Sequence, residues 1–183
     1  MSSLIVSAQN VKIFVLYLME NIHYPLDFPT ISDIVMQTDY VLYLDFALAF
    51  GEMLDAELIT PAGTNEHGET LYAVSEKGRV VASELHSDIL PSLLDKSLES
   101  ALRYLNFQKR GIRVECSYQP GEGGNYWVDY SLFEEKERIF HIQVKVDSLD
   151  RAKRIKQNID ERPEAIFRGT LALLSGKMNY LFD

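Results

Sequence analysis

The apolar positions of residues 8–22 fall at Val11, Phe14, Val15, Leu18 and Ile22, the three- and four-residue steps of a helix. Val11, Val15, Leu18 and Ile22 are its expected core positions. Tyr24-Pro25-Leu26-Asp27-Phe28-Pro29 breaks the pattern, because two prolines forbid continuation. Thr30-Ile31-Ser32-Asp33 then reads as a capping box with Asp in place of Glu, opening a short second helix through Gln37. Thr38-Asp39-Tyr40 is the expected turn, and a third helix is predicted over 44–56. Two β-prone runs follow, 58–62 and 69–74, joined by the turn-forming Thr64-Asn65-Glu66-His67-Gly68. Together they predict a hairpin with a polar tip. The second run passes straight into Ser75-Glu76-Lys77-Gly78, where the Ser75 hydroxyl can cap a fourth helix carrying Val80, Val81, Ala82 and Leu85.

From His86 the pattern changes to one long helix, with Pro91 suited to its first position and Gly111 as its stop. Glu99 and Arg103 form an i,i+4 pair on its outside. Its stripe of Leu94, Leu98, Ala101, Leu102 and Leu105 requires cover, either from a second domain or from the same helix of a second copy. Residues 112–147 then alternate with period two in three runs: Ile112 to Tyr118, Tyr126 to Leu132, and Phe140 to Val146. This predicts an antiparallel three-stranded meander with one buried and one wetter face, linked by 119–125 and 134–137. Ser148 can cap a following helix with Leu149, Ala152, Ile155 and Ile159 inward. Pro163 starts a last helix with Ile166, Phe167, Leu171 and Leu174, and the apolar residues 178–182 form a tail expected to pack.

Tyr72-Ala73-Val74-Ser75-Glu76-Lys77-Gly78-Arg79 resembles the Tyr-x-(Leu/Val)-(Thr/Ser)-Glu-x-Gly-(Arg/Lys) signature that ends the wing in MarR- and PadR-like winged-helix regulators. Over nearly its whole length the chain is most similar to an uncharacterised bacterial family with an N-terminal winged helix and a C-terminal α+β domain. The expected fold class is therefore α+β: a winged helix-turn-helix domain over 1–86, a linking or dimerisation helix over 87–111, and a βββαα domain over 112–183. The resemblance implies a transcriptional regulator that binds duplex DNA as a homodimer.

Charge changes that picture. The formal net charge is −9, and residues 1–86 hold three basic residues (Lys12, Lys77 and Arg79) against twelve acidic ones, while 87–183 hold fifteen of each. A face that neutralises phosphates needs clustered Lys and Arg, so the acidic first domain disfavours duplex DNA as a partner. From Tyr40 to Leu58, across the place of a recognition helix, there is no Arg, Lys, Asn, Gln, Ser or Thr to offer base edges. The tip residues Asn65, Glu66, His67 and Glu69 bring no cation to a minor groove. The DNA-contact candidates are Lys77, Arg79, and the basic cluster Arg151, Lys153, Arg154 and Lys156, for which the plainer account is solvated surface neutralised by Asp147, Asp150 and Asp160.

Other chemistry is sparse. His23, His67, His86 and His141 lack zinc-ligand spacing, and the single cysteine, Cys116, shares parity with Ile112 and Val114. The 120–124 loop is glycine-rich but lacks a phosphate-binding Lys and hydroxyl. No catalytic residue, metal or cofactor is expected. Arg113, Trp127, Phe133 and His141 share the outer parity of the meander and are ligand-binding candidates for stacking on a small molecule or base; packing against helices or a partner subunit is the alternative. With 46% apolar and 25% charged residues and no run of about 18 apolar residues, a cytoplasmic protein without membrane contact is expected. Two functions stand: a regulator with weak, indirect or non-standard DNA contact, and a protein-interaction module that keeps the winged-helix fold and engages a basic partner.

Overall fold

A computed structural model describes residues 7–85 and 89–176. The predicted start of the long helix at His86 and the tail 178–182 lie outside the described residues. Among the described residues the chain is α+β, with seven α-helices and two three-stranded antiparallel sheets. It divides into two compact units, Met1–Tyr104 and Leu105–Asp183.

In the first unit, α1 (Ala8–Ile22) begins where the Ser7 hydroxyl accepts the Asn10 amide and ends at His23 in the left-handed region, φ 64. All four expected core residues of α1, and Phe14 with them, are buried. The second helix starts earlier than the capping-box reading placed it. A two-residue strand β1 (Leu26–Asp27) leads directly into α2 (Phe28–Met36). Asp27, not Thr30, is the cap: its carboxylate accepts the Thr30 amide at 2.8 Å. Pro29 sits in the first turn, where its missing N–H removes no helical bond. The third helix, α3, is Tyr43–Asp55.

Strands β2 (Ile59–Thr64) and β3 (Thr70–Val74) form the hairpin, and β1 pairs with β3, giving the order β1-β3-β2. Asn65 organises the tip. Its Oδ1 accepts the His67 and Glu69 amides, and its Nδ2 donates to Glu69 and to Asp27 at 3.2 Å. Burial alone would raise the pKa of Asp27, but the hydrogen bonds from Thr30 and Asn65 outweigh it and hold the carboxyl below its ordinary value. The ionised carboxylate thus contributes stability above the unfolded-state pKa of about 3.9, and loses it as pH falls through the lower folded value. Asp27→Ala is expected to cost about 1–2 kcal/mol in urea denaturation at neutral pH. Asp27→Asn should flatten the acid limb of the stability profile; an unchanged limb would exclude this role.

Helix α4 (Glu76–Leu85) is capped as expected, with the Ser75 hydroxyl accepting the Gly78 amide at 3.0 Å. Helix α5 (Pro91–Lys109) starts in the first unit and ends in the second. Its covered side differs from the expected stripe. Leu94, Ala101 and Leu105 are buried along with Leu93, Ser97, Tyr104 and Phe107, whereas Leu102 is exposed. The tyrosine decides the rotation, since Tyr104 is buried with its hydroxyl donating to Asp33 at 2.6 Å. The Glu99–Arg103 pair forms at 3.0 Å, and Gly111, φ 64, ends the helix.

In the second unit β4 (Arg113–Pro120), β5 (Tyr126–Glu134) and β6 (Glu137–Val146) make a meander in the order β4-β5-β6, followed by α6 (Leu149–Glu161) and α7 (Pro163–Leu174). A register shift between Leu132 opposite Phe140 and Phe133 opposite Arg138 leaves Ile139 as an extra residue. This accounts for two adjacent apolar residues, Ile139 and Phe140, in an otherwise alternating strand. Tyr130 and Leu132 of the central strand are buried with Phe107 and Ile159, and the Tyr130 hydroxyl donates to the Pro163 carbonyl at 2.7 Å, fixing the start of α7. Ile166 and Phe167 pack on this core, but Leu171 and Leu174 are exposed. Arg110 grips Glu134 through two hydrogen bonds of 2.8 and 2.7 Å, which hold that carboxyl below its ordinary pKa.

Candidate interaction surface

Helix α3 uses one side for the core. Phe46, Ala49, Phe50 and Met53 are buried, and Phe46 and Phe50 join Phe28 and Tyr72 in an aromatic cluster with centroid separations of 4.9–5.9 Å. The opposite side is also apolar. Leu44 and Leu48 are 73% and 69% exposed, one helical turn apart, beside exposed Leu42 and Tyr43. Gly51 continues the same row and is exposed; a Cβ there would meet nothing within 4 Å. Asp45, Glu52 and Asp55 are exposed on the same helix. Lys12 pairs with Glu52 at 2.9 Å, while Asp45 and Asp55 have no ion-pair partner among the described residues. A solvent-facing row of leucines with carboxylates beside it cannot donate to phosphates or base edges, but it can bury apolar surface against a protein.

Lys77 and Arg79, the two DNA-contact candidates of this unit, are engaged internally. Lys77 donates to the Ala56 carbonyl at the end of α3, at 2.8 Å. Arg79 lies between Glu20, at 3.3 Å, and Glu76, at 3.5 Å, on the wall of a groove of about 470 Å³ between α1 and α4. Exposed ion pairs of this kind contribute little stability, but each lowers the charge a polyanion would meet.

On the outer face of the second sheet the four ligand-binding candidates do not converge. Arg113 stacks over Phe133 at 4.4 Å, while Trp127 lies six residues back along β5, roughly 20 Å away at about 3.4 Å per residue, under Lys145 at 5.9 Å. His141 sits between the two ends, its Nδ1 2.9 Å from the Ser131 hydroxyl. Glu115 pairs with Arg113, and Gln143 donates to Asp129 at 2.8 Å. The cross-strand partners Lys145 and Asp129 follow from the register, which the alternating pattern alone leaves open.

The family model described as a domain of unknown function (DUF4364) matches residues 11–174. The chain belongs to this family. No curated protein and no solved structure matches it. The DUF4364 match runs from the first turn of α1 to the last residue of α7, so both units belong to one family architecture.

In this DUF4364 member the basic cluster is half neutralised. On α6 Arg151 pairs with Asp147 at 3.1 Å and Lys156 with Asp160. Lys153 and Arg154 are exposed without an ion-pair partner among the described residues. Cys116 is half-buried against the covered sheet face, and burial first, then Asp160, push its thiol pKa up. Among the described residues no group of three or more His, Cys, Asp or Glu is placed to hold a metal ion, and no helix is long and apolar enough to cross a membrane. The outward leucines of α3 are absent from the sequence-derived candidates. The available signal was Leu44 and Leu48, which lie off the side formed by Phe46, Ala49, Phe50 and Met53, so that the helix carries more apolar positions than one buried side takes up.

Proposed function

We propose that the first unit is a winged helix whose third helix contacts a protein in place of DNA, making the chain a protein-interaction module of the regulator type. The order α1-β1-α2-α3-β2-β3 with sheet order β1-β3-β2 supports the winged-helix part of this reading. The observation that carries the functional part is the outward side of α3, where Leu44 and Leu48 stand in solvent beside Asp45 and Asp55. A fluorescence titration with a generic duplex at low salt tests it, and no saturable binding is expected.

A second reading, a regulator that contacts DNA through α6, is favoured by Lys153 and Arg154, exposed and without an ion-pair partner among the described residues. It predicts duplex binding that weakens steeply with salt and is removed by Arg154→Glu. Sedimentation of the same samples checks the homodimer that both readings accommodate.

A further inference from the structure

We infer that the row Leu44, Leu48 and Gly51 on α3 is a seam for one kind of occupant: an amphipathic helix with leucine-sized side chains on one face and Lys or Arg along its flanks. The inference rests on reading α3 as a protein contact. Leu44, Leu48 and Gly51 follow one another at i, i+4 and i+7, a continuous line on one side of a helix. The two leucines offer about one turn of apolar ridge. Gly51 ends it with a step, because it has no side chain and its surroundings are open. Interaxial distance between packed helices is set by the side chains at the contact, so the partner's backbone approaches most closely at Gly51. Glycine in the middle of a helix is otherwise an unfavourable choice.

Charge selects one flank and the far end of the row: Asp45 lies to one side of Leu44 and Leu48, and Asp55 follows Gly51 at i+4. Asp45 and Asp55 have no ion-pair partner among the described residues, and residues 1–86 hold twelve acidic side chains against three basic. A second copy docking α3 against α3 would bring these carboxylates toward their own kind in a low-dielectric contact. The basic helix α6 of a second copy is excluded by its outward residues Arg151, Lys153, Arg154 and Gln157, which carry no apolar side chain for the seam. A basic, leucine-faced helix satisfies both the ridge and the flanks.

The probe is a labelled amphipathic peptide of about 18 residues, five helical turns, with leucines at i, i+3, i+4 and i+7 and lysines on both flanks. A second peptide keeps the leucines and replaces lysine by glutamate. The full chain should bind the lysine peptide with strong salt dependence and the glutamate peptide at least about tenfold more weakly. Gly51→Leu should weaken lysine-peptide binding by about tenfold or more, with circular dichroism and thermal midpoint showing the fold kept; Gly51→Ala should raise the midpoint. Leu48→Asp should abolish binding. If Leu48→Asp abolishes binding but Gly51→Leu has no effect, or the two peptides bind alike, the seam is wrong while the protein-contact reading stands. If neither peptide binds, or Leu48→Asp changes nothing, the inference fails, and the duplex titration separately judges the reading. A dimer that Leu48→Asp turns into a monomer means a second copy fills the row, and overturns the inference.

Discussion

Gly78→Ala is expected to lower the stability of the first unit by roughly 3 kcal/mol or more, a large fraction of the total of a typical domain. The cause is a close approach of backbone. A Cβ at Gly78 would fall against the Leu58 carbonyl oxygen, well inside contact distance, and 2.8 Å from Val74 Cγ1. That carbonyl cannot withdraw cheaply, because it accepts the Ser75 amide at 3.0 Å while the Leu58 amide is held by the Met53 carbonyl at 2.8 Å. The Ser75 hydroxyl adds a 2.7 Å bond to the Glu57 carbonyl and receives the Gly78 amide. The end of α3, the start of β2 and the first turn of α4 are thus tied at one point that only glycine fits. Urea denaturation of Gly78→Ala beside Gly51→Ala checks this, since the second change is expected to stabilise by up to about 1 kcal/mol. Similar effects of the two substitutions would show that helix propensity, not the close approach, governs Gly78.

The second large effect is expected at Phe46. It is fully buried, stacks on Phe28 at 5.4 Å and touches Phe50 at 5.9 Å, so Phe46→Ala should cost about 3–5 kcal/mol of a total that is typically 5–15. Two residues later, Leu48→Ala should change stability by no more than about 0.5 kcal/mol. The pair of measurements separates the two sides of one helix: the first holds the unit together, the second is free for a partner. A loss above 1 kcal/mol at Leu48 would mean that the leucine is packed, and would remove the basis for treating α3 as a contact surface.

Much of the fold is legible because its signals are local. Ser75 and Ser148 cap the amides three residues ahead, and the apolar spacing of 8–22 marks the whole of α1. The meander follows from alternation, while its register and the bulge at Ile139 do not. The start of α2 differs from the capping-box expectation because two competing signals are adjacent, and the carboxylate of Asp27 outdoes the hydroxyl of Thr30 once β1 pairs with β3. The candidate site was less legible. Lys77 and Arg79 look available in the chain, but their partners Ala56 and Glu20 lie 21 and 59 residues away.

Composition and spacing alone determined most of the elements, the Ser75 and Ser148 caps, the hairpin with its polar tip, and the acidic character of residues 1–86. Those features depend on bonds spanning three or four residues, or on a count. Tertiary structure decided that Leu44 and Leu48 face solvent while Phe46 and Phe50 do not, that Tyr104 turns α5 toward Asp33, and that Gly78 lies against the Leu58 carbonyl. The physical reason is that burial belongs to a residue's neighbours in space: a helix with apolar residues on more than one side carries no local record of which side the rest of the chain will cover.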